Sequence, residues 1–326
     1  MSTKNNLTLA KIAKNDEFYT RYEDIEAELC HYTEYFKDKV VYINCDVPEK
    51  SNFWKYFIDN FSELKLKKLM CSWYKLDGNV GGYCEYTGGD YVQIRFPADG
   101  EGDFRNLDYE IKMADIVVGN PPFSLFREFV SKCVRHRKKF LIVGSINAIV
   151  YKEVFPLIKD NRIRLGYNKV KDFYTDKNTK KGVSCYWYTN LSIQKTVPFL
   201  TLTKKYNPDD YPKYDNYDAI EVKKTADIPC DYNGIMGVPV TFLDKYNHNQ
   251  FKIIDMAKSW AGNTLRTKIY KKQLQHNADG SVEEVTKLND TPSLKYDSVP
   301  SKFPFYEVEG SFYKALYARI LIQRIS

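Results

Sequence analysis

The sequence predicts an α/β protein. A doubly wound, mostly parallel sheet occupies residues 1–197, and a region of different character follows over 198–326. Three observations carry this. Residues 40–45, 66–73, 116–119 and 140–144 read as short apolar strands, as burial on both faces requires. Segments of helical period lie between them, and strands alternating with helices indicate parallel pairing. The alternation fades near residue 196, beyond which prolines, tyrosines and charges dominate.

The elements follow in order. Residues 1–15 are a polar arm. Residues 22–36 carry a helical stripe of Ile25, Leu29, Tyr32 and Phe36. The strand at 40–45 runs into a loop, and Ser51 or Asn52 can cap a helix whose apolar face is Phe53, Tyr56, Phe57 and Phe61. The strand at 66–73 precedes a glycine-rich, turn-like stretch over 77–89 and an alternating strand over 91–96. A short helix near 107–113 leads into the central strand. Residues 151–159 are helical in pattern, and 180–190 hold one or two strands. Beyond the boundary, residues 265–288 fit a hairpin turning at Asn277, Ala278, Asp279 and Gly280.

Residues 115–123 organise the chain. Asp115, Ile116, Val117, Val118 and Gly119 make a buried strand. Asn120, Pro121, Pro122 and Phe123 end it, because two prolines cannot continue a ladder. Asn120, before a proline, is held extended. The product is a stiff loop at the carboxyl end of a strand, where open α/β sheets place their ligands. Alone, the tetrapeptide would pass for an ordinary turn. The strand before it and the helical pattern Leu125, Phe126, Phe129, Val130 after it favour a functional loop.

Its residue types suit methylation of a planar amino nitrogen. Such a nitrogen is a poor nucleophile because its lone pair is delocalised into the ring. The Asn120 side-chain oxygen can accept one N–H, and the Pro121 carbonyl, aimed by the Pro-Pro pair, can accept the other. Phe123 offers a ring face for stacking. The loop contributes positioning and electrostatics and supplies no charged base.

Composition bounds the alternatives. The chain has 326 residues, with 43% hydrophobic and 15% aromatic content, enough for a large core. Twenty-seven tyrosines and a net charge of +7 permit a wet, polyanionic partner. Seven scattered cysteines without a Cys-x-x-Cys pair read as core thiols of a reducing cytoplasm. Four distant histidines argue against a metal site. No apolar run approaches the roughly 18 residues of a membrane span, and the polar N-terminus does not read as a signal peptide.

In order, Asp16 to Thr20, the strand and loop at 40–53, residues 102–105 and the Asn-Pro-Pro-Phe loop resemble the amino-group DNA methyltransferases whose recognition region is C-terminal. The resemblance is closest to the EcoRI-type adenine-specific enzymes. Residues 120–127, 151–155, 211–220 and 231–242 carry it, and it extends over about 16–256 with a final strand-like 318–324.

That resemblance implies a class I fold of seven strands, the last antiparallel, with S-adenosylmethionine as donor and the N6 of adenine in duplex DNA as acceptor. Phe18, Tyr19 and Thr20 would meet the methionine end of the donor. The turn containing Asp46 and Pro48 would pass beneath it. Asp103 would accept from the donor's adenine amino group, and Phe104 would pack on that ring. It also implies a monomer that methylates one strand per visit, in a restriction-modification system, alone or in a phage. A cognate restriction endonuclease would share the site without binding stably. Two departures stand out. The loop after the first strand lacks the usual glycines, and the second strand ends in Cys71, Ser72, Trp73 and Tyr74, without a ribose-holding carboxylate.

Adenine in a duplex is stacked, so such an enzyme must flip it out. Tyr186 or Trp187 is the candidate second stacking surface, against the alternative that both simply pack in the sheet. For DNA, Arg266, Lys268, Lys271 and Lys272 are candidates in a stretch free of acids, whereas the cluster at 135–139 reads as a solvated face. Two rivals stay open: an RNA adenine methyltransferase, and a catalytically silent DNA-binding protein on the same scaffold.

Overall fold

The computed structural model describes residues 19–44, 47–73, 81–89, 91–95, 108–174, 180–262 and 265–325. The chain divides into two compact units, 1–195 and 196–326.

The first unit is built on one sheet. Its strands are β1 (Tyr19–Thr20), β2 (Val40–Asn44), β3 (Lys68–Trp73), β4 (Gly82–Tyr86), β5 (Tyr91–Arg95), β6 (Ile116–Gly119), β7 (Lys139–Ser145), β8 (Arg164–Tyr174) and β9 (Lys180–Thr189), in the spatial order β1-β8-β9-β7-β6-β2-β3-β4-β5. Among the described residues the sheet therefore has nine strands, not the seven expected, and is mixed. The pairs β2–β3, β2–β6 and β6–β7 are parallel. The remaining five pairings are antiparallel. The reason lies in the connections. β3 and β4, β4 and β5, and β8 and β9 are joined by links of eight, four and five residues, too short for the crossover of a dozen or more residues that a parallel pair needs, so each of these pairs folds back antiparallel.

Helices cover both faces. On one, α1 (Tyr22–Leu29), α2 (Thr33–Phe36) and α3 (Asn52–Asp59) bury Ile25, Leu29, Phe36, Phe53 and Phe57 against Val41, Ile43, Leu69, Val143 and Trp187. The expected helix at 22–36 is broken by a single 3-10 turn, Cys30–Tyr32. Ser51 caps α3, its hydroxyl accepting from the Trp54 N–H at 3.0 Å. Between α3 and the central strand lies the short α4 (Asp108–Met113). On the other face, α5 (Phe126–Arg135) sets Phe126 against Tyr188, ring centroids 5.1 Å apart. The single turn α6 (Phe155–Lys159) follows β7. Part of the basic cluster at 135–139 is structural: the Lys138 ammonium donates to the Lys112 and Ala114 carbonyls, at 2.6 and 2.8 Å, at the end of α4.

Asp115 ties the central strands at their start. Its carboxylate accepts from the Val40 N–H, and its own N–H donates to the Val40 carbonyl, both at 2.9 Å. Four cysteines are core thiols: Cys71 and Cys84 face each other across β3 and β4, and burial pushes Cys133 and Cys185 up to about 12, so both stay neutral, whereas Cys30 is exposed and Cys230 half-buried, and Cys45 lies outside the described residues. Among the described residues no helix is long and apolar enough to cross a membrane, and no cluster of His, Cys, Asp or Glu could hold a metal.

The sequence reading passed over β4 and β8. β8 breaks register between Leu165 and Lys169 and again near Asp172, which destroys the period of two. Glu28 of α1 holds the first break. Its carboxylate is fully buried and accepts from the N–H groups of Tyr167 and Asn168, the Asn168 side chain and the Tyr32 hydroxyl. Gly166 is obligatory beside it, because an added Cβ would lie 2.1 Å from Glu28 Oε1 and 2.7 Å from Trp187 Cβ.

The second unit has two sheets. One runs β10 (Ile220–Glu221), β11 (Met236–Val238), β18 (Arg319–Arg324), β12 (Phe251–Ala257). The other runs β14 (Val282–Val285), β13 (Gln273–His276), β16 (Phe305–Val308), β17 (Ser311–Ala315), β15 (Ser293–Tyr296). The expected hairpin is β13–β14, with Gly280 at φ 83° in its turn.

Glu28→Ala should strip an acceptor from two half-buried backbone N–H groups, at about 1–3 kcal/mol each at most. The expected result is a lower thermal midpoint for the full chain and faster amide exchange at Tyr167 and Asn168. Glu28→Gln, which keeps one acceptor oxygen, should recover part of the loss.

Candidate active site

The site forms where the central sheet reverses direction. β2 has β3 on one side and β6 on the other, so chain connections depart oppositely from this pair and leave a crevice at its carboxyl ends. Asn120 follows β6 there and is 9% exposed. Pro121 is buried, and Pro122 and Phe123 are half-buried. The Leu125 N–H donates to the Pro122 carbonyl at 2.9 Å, closing the turn that starts α5. The loop is thus fixed at both ends, by the strand and by the helix.

Gly119 sets the approach. Its φ is 157°, and an added Cβ would sit 3.3 Å from the Asn44 carbonyl oxygen of β2. The strand end carrying Asn120 therefore lies against the strand end that opens the next loop. That loop, from Val47, turns tightly, the Lys50 and Ser51 N–H groups both donating to the Val47 carbonyl. Pro48 is buried within it.

β1 joins from the far edge. Thr20 pairs with Phe173 of β8, whose ring meets that of Phe123 edge-on at 6.2 Å. The Asn52 side chain at the start of α3 donates to the Thr20 carbonyl at 2.8 Å. Tyr19, Thr20, Pro48, Asn120, Pro121, Pro122 and Phe123, scattered in sequence, are linked through Asn52, Phe173 and Gly119. Phe18, Asp46, Asp103 and Phe104 lie outside the described residues.

A family model described as the adenine-specific methyltransferase EcoRI matches residues 6–324. The chain belongs to this family. Type II methyltransferase M.EcoRI of Escherichia coli is 46% identical, the match covering 79% of this chain and 90% of that one. M.MgeORF184P of Mycoplasma genitalium is 38% identical, over 81% and 90%. M.MpnI of Mycoplasma pneumoniae is 38% identical, over 80% and 89%. The protein is an adenine-specific methyltransferase.

Several expected residues of this adenine-specific methyltransferase sit differently from their sequence reading. Trp187 is fully enclosed, its ring edge-on to Phe53 at 5.9 Å, so it presents no face to a base. Strand alternation is the cause: Trp187 faces the α3 side of β9, and Tyr186 the opposite side. Tyr186 is 3% exposed with the Lys169 ammonium 5.3 Å from its ring centroid, which leaves it no open face either. Of the proposed stacking rings, Phe123 is the half-buried one.

Arg266 is turned into the second unit. Its guanidinium donates to the Tyr217 hydroxyl and the Asn289 carbonyl, at 2.9 and 2.8 Å. Lys268 pairs with Asp215 at 2.9 Å. Burial raises the Asp215 carboxyl, but hydrogen bonds from Tyr270 and Lys268 outweigh it and hold the group below its usual range. Lys271 and Lys272 are exposed, and neither is in an ion pair among the described residues.

The sequence reading also missed a polar chain. The Tyr42 hydroxyl lies 2.6 Å from Ser72 Oγ and accepts from the Asn44 side chain at 3.0 Å, all three buried at the carboxyl ends of β2 and β3. Ser72 stands near the strand end where a ribose-holding carboxylate was missed. The only signal was a polar residue in each of two apolar runs.

Gly119→Ala should test the close approach. The residue is held in a region nearly reserved for glycine, so the substitution should cost about 1–3 kcal/mol of stability. By displacing Asn120 it should slow methyl transfer on the order of 10- to 100-fold. Single-turnover transfer and a thermal melt of the same sample check both.

Proposed function

We propose that this methyltransferase transfers a methyl group from S-adenosylmethionine to the N6 amino nitrogen of a flipped adenine in double-stranded DNA, at a specific sequence. The observation that carries the reading is the rigid Asn120 to Phe123 loop at the switch point. First-unit residues bind the donor and perform the transfer, and the second unit reads DNA. The enzyme acts as a monomer in the cytoplasm, as the modification partner of a restriction endonuclease or by itself.

The residues suit this donor. Thr20 is 3% exposed, and its Oγ1 is buried without a hydrogen-bond partner among the described residues, so a polar ligand would satisfy it. Tyr19 and Thr20, with Phe18 before them, would hold the methionine end. The turn of Asp46 and Pro48 would lie beneath, and Asp103 and Phe104 would take the adenine end. When bound, the donor supplies an electrophilic methyl group on sulfur.

This chain's own work is to prepare the nucleophile. The Asn120 side-chain oxygen and the Pro121 carbonyl accept the two N–H groups of the target amine, draw its nitrogen towards tetrahedral geometry and localise the lone pair. Phe123 stacks on the flipped base. Both acceptors are fixed before the substrate arrives, so little reorganisation opposes the reaction. The surplus proton leaves after transfer. Flipping costs a few kcal/mol, and contacts of the second unit with DNA offset it.

Labelled S-adenosylmethionine and long unmodified DNA test the whole reading. Label should appear in N6-methyladenine within one short motif; label absent from DNA while donor binds would overturn it. Asn120→Ala should abolish transfer while donor affinity stays near wild type, and persistence near the wild-type rate would remove Asn120 from the mechanism. Neutralising Lys271 and Lys272 should weaken DNA binding uniformly and reduce the slope of log affinity against log salt by about 1–2. An unchanged slope would place both lysines off the interface.

A further inference from the structure

We propose that Tyr317 inserts its ring into the base stack of the DNA duplex, as an aromatic contact of the second unit. The proposal rests on DNA being the substrate. Tyr317 is 89% exposed, in the three-residue link between β17 and β18. Isolated exposed apolar side chains are ordinary, but this one stands on a fixed platform. Leu316 before it packs into the cluster of Tyr214, Tyr217 and Leu321, and its N–H donates to the Pro292 carbonyl at 2.9 Å. On the other side Arg319 donates to the Tyr317 carbonyl and, through Nε and Nη2, to both oxygens of Glu221, which is 2% exposed. The backbone is anchored on both sides while the ring projects into solvent. With the backbone already fixed, only the side-chain torsions of Tyr317 have to be ordered on binding.

The surroundings say what it meets. Leu265 packs against the same cluster as Leu316, so the basic stretch from Arg266 to Lys272 and the Tyr317 link emerge from one small core. Lys268 sits over the rings of Tyr270 and Tyr313, at 5.0 and 5.5 Å. Tyr313 is four residues before Tyr317, at most about 13 Å of extended chain. That is about four steps along one DNA strand. The basic stretch that continues three and four residues beyond Lys268 to the exposed Lys271 and Lys272 and the link that carries the Tyr317 ring thus start from the same core, and cations for phosphates beside a ring for bases are the combination that suits nucleic acid. Apolar wedges inserted between base steps are also a means of opening a stack that must release a base.

The test is equilibrium binding of the full-length protein to a duplex containing its methylation site, across a salt series. Tyr317→Ala should weaken binding by about 5- to 150-fold, the range of one base–aromatic stack. The salt slope should stay at the wild-type value, because no phosphate contact is lost. Tyr317→Phe should bind within about threefold of wild type, since the ring does the work. A fluorescent adenine analogue stepped along the duplex should report one position that unstacks with wild type and Tyr317→Phe but not with Tyr317→Ala. Melting of the variants should match wild type, as the ring packs on nothing. Unchanged affinity for Tyr317→Ala, a reduced salt slope, or equal loss in Tyr317→Phe would each overturn the proposal. Failure of the wild type itself to bind duplex DNA would overturn the reading beneath it.

Discussion

The close approach of two parallel strand ends governs this molecule. β6 must end where β2 ends for the loops that follow to share a crevice, and Gly119 permits it with no side chain at the Asn44 carbonyl. Everything downstream inherits that position. Asn120 is extended because a proline follows it, and Pro122 closes the turn into α5. In the proposed reaction the Pro121 carbonyl takes its direction from backbone rigidity, while Asn120 presents its side-chain oxygen from an extended backbone. A charged group would reorient with pH and solvent, whereas a carbonyl locked between two prolines does not.

The rest of the first unit serves to bring β1 to that crevice from the opposite edge of the sheet. β1 has only two residues and cannot hold itself. It is held by β8, by the Asn52 side chain, and indirectly by Glu28, which pins the irregular part of β8 to α1. A buried carboxylate is tolerable here because four donors converge on it. The irregularity of β8 is therefore stabilised, and it lets one long strand serve both β9 and β1.

Much of this was legible. The four parallel strands announce themselves as apolar runs, and the Asn-Pro-Pro-Phe loop follows from proline chemistry, as does its place at a strand end. The antiparallel flanks were less legible for identifiable reasons. β4 falls in a glycine-rich stretch that mimics a turn, and β8 loses its period where Glu28 replaces ladder partners. The Tyr-Trp-Tyr run over 186–188 misled in another way. Three large rings look like a binding surface, but period two sends neighbours to opposite faces, and both faces carry helices. Ser72 and Asn44 were invisible because a single polar residue in an apolar run has no pattern to report.

Charge in the second unit carries the last lesson about reading function from composition. The stretch from Arg266 to Lys272 contains cations of two kinds. Arg266 and Lys268 bind Tyr217, Asn289 and Asp215, so their removal would leave buried or half-buried partners unsatisfied. A loss of DNA affinity after mutating them could therefore reflect a disturbed unit. Lys271 and Lys272 are exposed, so their removal subtracts charge and little else. The same division applies at Glu221 and Arg319. A buried ion pair is a poor source of net stability, since desolvation consumes most of its attraction. Its effect here is geometric: it joins β10 to β18 and fixes the link that leads into β18. In this unit the buried charges set the shape, and the charge of Lys271 and Lys272 stays exposed.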